Sequence, residues 1–123
     1  MEREILEDGI RFVKDGKEAA AIHETIDEEK KEVIVTLSGS LTGETANDLL
    51  DELNALVIAG CGIRVDAGKV DYMAASMGNV FLNTENKLEE QNKYLKIVNL
   101  PVMIYEEWKK RGLHDLLDVE VAG

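Results

Sequence analysis

The 123-residue chain carries 25 acidic side chains against 14 basic ones, a formal net charge of -11. A surface this acidic repels nucleic-acid phosphates and anionic headgroups, so neither nucleic acid nor a membrane surface is an expected partner, while a basic protein surface is. The length suits one hydrophobic core and no second domain, and because only 5% of residues are aromatic, that core must come from Leu, Ile, Val, Ala and Met.

The chemistry-bearing residues are sparse. Cys61 is the sole cysteine, so no internal disulfide forms. His23 and His114 lie far apart and lack the spacing of metal ligands, so no metal and no cofactor are expected. The start, Met1-Glu2-Arg3-Glu4, has no apolar stretch that serves as a signal, and no apolar run approaches the ~18 residues of a membrane span. The chain reads as cytoplasmic, either whole or as a domain of a longer protein.

Residues 1–18 are expected to form an N-terminal arm. Asp8-Gly9 and Asp15-Gly16 bracket the alternating stretch Ile10-Arg11-Phe12-Val13, and Asp-Gly pairs suit tight hairpins. Residues 19–26 and 32–37 then make a hairpin around the polar turn Asp27–Lys31, with Val33, Val35 and Leu37 on one face. Ser38–Gly43 is read as a break. Over 44–58, Ala46, Leu49, Leu50, Leu53, Leu56 and Val57 fall on one helical stripe, with Thr42 as its cap and Gly60 and Gly62 as its stop. Ile63–Ala67 is a strand that Val70–Met73 extends or follows.

The second helix spans 76–91, its inner face made by Met77, Val80, Phe81, Thr84 and Leu88. Tyr94–Val98 is a strand. Pro101 fits the first turn of a third helix with Ile104, Tyr105 and Trp108 inward, Gly112 is a left-handed cap, and Leu116–Val121 is a closing strand. Strands alternating with helices in this way imply a largely parallel sheet after an antiparallel first pair.

Four segments carry a family resemblance: Val35-Thr36-Leu37-Ser38-Gly39-Ser40-Leu41-Thr42, Ile63–Met73 with its central Asp66, Leu95–Asn99, and Trp108–Leu116 with Gly112-Leu113 near its end. In order and spacing they resemble the STAS domains of anti-sigma factor antagonists, over about residues 19–121. The resemblance implies a STAS-like domain over 19–123. Its fold would be α/β, a sheet of about four to five mostly parallel strands with an antiparallel N-terminal pair, packed with three or more helices. It also implies a non-enzymatic module that binds an anti-sigma factor or serine kinase-like regulator. The implied binding surface combines Ser40, Thr42, Gly43 and Thr45 with Ala74, Ala75, Ser76, Met77 and Gly78.

Family members carry Asp-Ser-Ser-Gly at this last junction, and the first serine is the phosphoacceptor. Here the junction reads Ala74-Ala75-Ser76-Met77, with the glycine displaced to Gly78, so the usual switch is expected to be lost. Ser76 keeps two readings: a helix N-cap, or a substitute phosphoacceptor. A serine at a helix N-terminus faces unpaired N–H groups and partial positive charge, which tolerate a phosphate locally.

Asp66 is read as a turn residue, and His23 and His114 as surface residues. Glu44 and Asp48 favour the positive end of the first helix. Three functions follow in order: a STAS-type regulatory interaction protein; a sensory or scaffold domain that binds a small molecule or nucleotide or assembles into a larger complex, homodimers included; and an enzyme, for which no nucleophile–base pair, metal cluster or cofactor motif is present.

Overall fold

The computed structural model describes residues 2–122. Four strands precede the first helix: β1 (Glu2–Leu6), β2 (Gly9–Lys14), β3 (Lys17–Asp27) and β4 (Glu32–Leu41). Helices and strands then alternate: α1 (Gly43–Ala59), β5 (Gly62–Met73), α2 (Ala75–Glu89), β6 (Leu95–Leu100), α3 (Val102–Lys110), and, after a 3-10 turn at Leu113–Asp115, β7 (Asp118–Val121). All seven strands join one sheet, in the order β1-β2-β3-β4-β5-β6-β7. β1 to β4 run antiparallel, and β4 to β7 run parallel.

The expected α/β sheet with an antiparallel start is therefore present, with seven strands instead of four to five. The difference comes from the N-terminal residues. β1 and β2 form a hairpin that pairs edge-on with β3, and Ile10 and Phe12 of β2 are buried in the common core. The Asp15-Gly16 turn has φ of 53° and 76°, the twin left-handed pair that a two-residue hairpin favours. Gly9 serves otherwise: it has no positive φ, but a Cβ there would collide with the Ile22 carbonyl oxygen of β3.

Several element boundaries differ from expectation. β4 runs through Ser38–Leu41, the stretch read as a break. Gly39 takes φ 79°, and its missing Cβ lets the Ala19 carbonyl approach, so the strand bulges and continues. Val70–Met73 extends β5 into one long strand, one of the two expected readings. Leu116 and Leu117 precede the last strand, because Gly112 in the left-handed region leads into the 3-10 turn first.

Each parallel connection passes through a helix in the same direction across the sheet, and right-handed crossovers then place all three helices on one face. Alternation along β4 follows: Val33, Val35 and Leu37 are buried toward the helices, while Ile34, Thr36 and Ser38 are half-buried on the open face. Leu49 and Leu53 of α1 and Met77, Phe81 and Leu88 of α2 are fully buried, each stabilising by about 1.5–3 kcal/mol. Trp108 of α3 tilts against Phe81, with ring centroids 6.0 Å apart. At the far end of the sheet, Glu32 is only 2% exposed. Its charge is offset by Arg64, whose Nε donates at 2.9 Å, and it also accepts from the Tyr94 hydroxyl.

Candidate partner-binding surface

The parallel pairing of β4 with β5 sets Ser40 beside Tyr72 and Leu41 beside Met73. The Ala74 N–H then donates to the Leu41 carbonyl at 2.8 Å. The segment after β4 and the segment after β5 are thus held side by side at the carboxyl end of the parallel strands, where open α/β sheets place their sites. The two halves of the expected surface meet there.

Thr42 occupies the N-cap of α1 with extended backbone, φ -85° and ψ 174°, as expected, but its hydroxyl makes no capping bond. The Thr45 N–H and hydroxyl instead both turn back and donate to the Thr42 carbonyl, at 3.1 and 2.8 Å. Glu44 in the first turn faces the positive end of the helix. Asp48 pairs with Arg3 of β1, tying the hairpin to α1.

Ser76 is not the cap of α2. The bond to Leu41 fixes Ala74 in an extended conformation, φ -63° and ψ 152°, so the helix starts at Ala75 and Ser76 is its second residue, exposed and without a capping bond. The first turn of α2 contains no acidic residue. Its amide groups and partial positive charge therefore meet solvent at Ala75 and Ser76 without a side-chain counterpart.

The expected residues divide by depth. Ser40, Thr42 and Ala74 are half-buried, and Gly43, Ala75 and Ser76 are exposed. Thr45, Met77 and Gly78 lie beneath the surface and support it from below. Gly78 is packed against the closing turn: a Cβ there would lie 2.5 Å from Leu113 Cδ1.

Two hollows flank this junction, and Asp71 lines both. One, of about 320 Å³, is apolar, walled by Tyr72, Met73, Ala75, Met103, Ile104 and Trp108, with Glu107 and Arg111 at its rim. The other, of about 500 Å³, is polar and includes Ser40, Thr42 and Glu44 together with Lys14 of β2 and Glu18 of β3. The sequence reading missed the contribution of α3. Met103 is 82% exposed and Tyr72 54%. The available signal was Val102-Met103, an apolar pair lying off the buried stripe marked by Ile104 and Trp108.

The remaining polar residues are accounted for locally. Asp66 accepts from the Gly68 N–H at 3.0 Å and from Asn99 Nδ2 at 3.3 Å, a local role as expected but made at an irregularity inside β5 and not at a turn. His23 pairs with Asp8 and His114 with Asp115, at 3.2 and 3.4 Å. Among the described residues, no group of three His, Cys, Asp or Glu side chains is placed to hold a metal ion, and no helix is long and apolar enough to cross a membrane.

Residues 24–119 match the family model described as "Mlab, STAS domain". The chain belongs to the STAS family. No curated protein sequence matches it. Its fold is similar to that of a STAS domain protein from Planctomyces limnophilus described as an anti-sigma-factor antagonist, with TM-score 0.71, 8% identity, and coverage of 83% of this chain and 91% of that one. It is similar to the anti-sigma factor antagonist SpoIIAA in its unphosphorylated form, with TM-score 0.70, 14% identity, and coverage of 80% and 86%. Within a larger protein, the murine anion transporter Slc26a9 contains a similar region, with TM-score 0.64, 14% identity, and coverage of 79% of this chain and 17% of that one. SpoIIAA of Bacillus has also been solved in a phosphorylated form. In this STAS domain, β1, β2 and most of β3 precede the matched stretch.

Proposed function

We propose that this STAS domain is a regulatory protein-interaction module of the cytoplasm. It binds an anti-sigma factor or a related serine kinase and so controls transcription, and the family's phosphoserine switch is absent from it. One observation carries the reading: the Ala74–Leu41 bond holds the exposed start of α2 beside the end of β4, and Ala75 opens onto the apolar hollow of Tyr72 and Met103. An apolar floor with a polar, charged rim is the anatomy of a protein interface. A phosphate on this floor would bring about -1.5 to -2 charges into the contact and disrupt it. Ala75 offers no hydroxyl for that modification.

The test mixes the purified domain with each serine-kinase anti-sigma factor of its native cell, with ADP, and measures complex formation by calorimetry. The expected result is one binding partner whose affinity falls at least about tenfold in Ala75→Asp and in Met103→Asp. Failure of every such kinase to bind would remove the proposal. With ATP, mass spectrometry should find the parent unmodified and Ala75→Ser heavier by one phosphate. A phosphate on Ser76 of the parent would show that the switch is retained.

The same hollow supports a second reading, in which the domain senses a small apolar molecule. A rise in melting temperature with a metabolite, lost in Trp108→Ala, would favour that reading.

A further inference from the structure

A second concave surface lies at the other end of the domain, between the turn of the N-terminal hairpin, β3 and the last turns of α1. It encloses about 530 Å³. Its apolar walls include Ile5 and Ile26, each 70% exposed, and Leu56 of α1. Between them stand two carboxylates, Glu24 of β3 and Glu52 of α1. The hairpin turn adds Glu7 and Asp8, and Cys61 ahead of β5 closes the rim. No Lys, Arg or His lines this groove among the described residues. Among the described residues none of the four acidic groups pairs with Lys or Arg, and Asp8 alone meets a histidine, His23 Nδ1 at 3.2 Å from outside the groove. Glu24 Oε1 is shielded from solvent and has no hydrogen-bond partner.

We propose that this groove is a docking site, separate from the α2 junction, for an apolar segment of a partner protein bearing a lysine or arginine, with the cation between Glu24 and Glu52 and flanking apolar side chains on Ile5 and Ile26. Charge complementarity commits the occupant. Glu24 and Glu52 share the groove with no Lys or Arg beside them, and each makes the other's ionisation costlier; an inserted ammonium or guanidinium relieves that repulsion and offers a donor to the shielded Glu24 Oε1. The exposed isoleucines require an apolar surface around that cation, which a free metal ion does not bring. A lysine or arginine on an apolar segment brings both, because its long stem packs while its head stays polar.

Part of the groove lies outside the family match. Ile5, Glu7 and Asp8 precede residue 24, where the STAS match begins.

Protonation gives the site a signature. Burial first, then hydrogen bonding to Glu52 and that residue's charge, raise Glu24 to about 7. The titratable groups facing it are Glu52 from α1, Glu7 and Asp8 from the hairpin turn, and Cys61. All are acids or a thiol, so each can only hold the Glu24 proton on or leave it unchanged. A bound cation expels that proton, and binding therefore tightens as pH rises through about 7.

The probe is a fluorescent peptide of leucine and lysine, with a leucine–glutamate peptide as its counterpart, titrated at about 0.15 M salt so that long-range attraction is screened. The lysine peptide is expected to bind and the glutamate peptide to fail. Glu24→Gln with Glu52→Gln should weaken binding at least about tenfold and abolish its pH dependence. Ile5→Ser and Ile26→Ser, both at exposed positions that the fold tolerates, should each weaken it several-fold. A control pair, Glu90→Gln with Glu106→Gln on exposed positions elsewhere, should change affinity less than about twofold.

Equal loss in the control pair would reduce the effect to overall acidity and overturn the proposal. Hexylamine binding as tightly as the peptide would make the groove a small-cation site and overturn it too. A dimer in sedimentation that Ile26→Ser dissolves would assign the groove to a second copy of the chain.

Discussion

Ala74 shows how one position can be set by its neighbours and not by its own propensity. It stands at the N-cap of α2, where Ser, Thr, Asp and Asn are preferred and Ala is among the poorest residues. Its backbone is extended because its N–H is committed to the Leu41 carbonyl. Ser76 has the better capping side chain, but it arrives two residues too late. Ala74→Ser or Ala74→Asp should therefore stabilise the domain by about 1 kcal/mol, a rise of roughly 4 °C in melting temperature, read by calorimetry. An unchanged melting temperature would mean that the α2 amides already have partners. With Ala74 this chain forgoes the cap, which keeps the exposed start of α2 small and uncharged. In the proposed function, the stabilised variants should bind the partner more weakly, and that pairing of effects separates a surface role from a purely structural one.

The helical stripes were legible because their periodicity is strong: the inner face of α2 is Met77, Val80, Phe81, Thr84 and Leu88, all buried as the spacing implies. Strand ends were harder to read. Ser38-Gly39-Ser40 looks like a breaker, yet β4 passes through it, because Gly39 supplies a left-handed bulge and a gap for the Ala19 carbonyl. Local composition does not report a neighbour from β3. Gly39→Ala is expected to destabilise the domain by about 2 kcal/mol or more, since the added methyl meets backbone and the residue must hold a φ that side chains disfavour. Gly78→Ala meets only the tip of a leucine side chain and should cost less. Urea denaturation of the two variants tests this order. The candidate surface was half legible for a similar reason. The family pattern pointed to the ends of β4 and β5, but Met103 comes to the site on α3, and only the sheet order makes α3 a neighbour of α2.

Over the whole molecule, a net charge of -11 and a groove holding Glu24 and Glu52 give stability a definite pH dependence. Glu24 titrates at about 7 in the folded chain, against an ordinary value of 4.5. The folded state therefore holds this proton more tightly than the unfolded chain does. The stabilisation is complete below 4.5 and is lost as pH rises through about 7. General repulsion among the acidic groups acts in the same direction. The melting temperature should fall from mildly acidic to mildly alkaline pH, and Glu24→Gln, neutral throughout, should flatten that fall. An equally steep fall in the variant would assign it to the surface as a whole.

The strand order has a consequence for how the molecule comes into being. Each strand lies beside the one that precedes it in the chain, from β1 through β7. No strand waits for a partner made much later, and no late segment must be threaded between two earlier ones. During synthesis, the antiparallel strands β1 to β4 can assemble through short turns while α1 is still being made. Each later helix and strand then docks on an edge already in place. The domain can be laid down like courses of brick, from its charged hairpin toward the surface that α2 and α3 form.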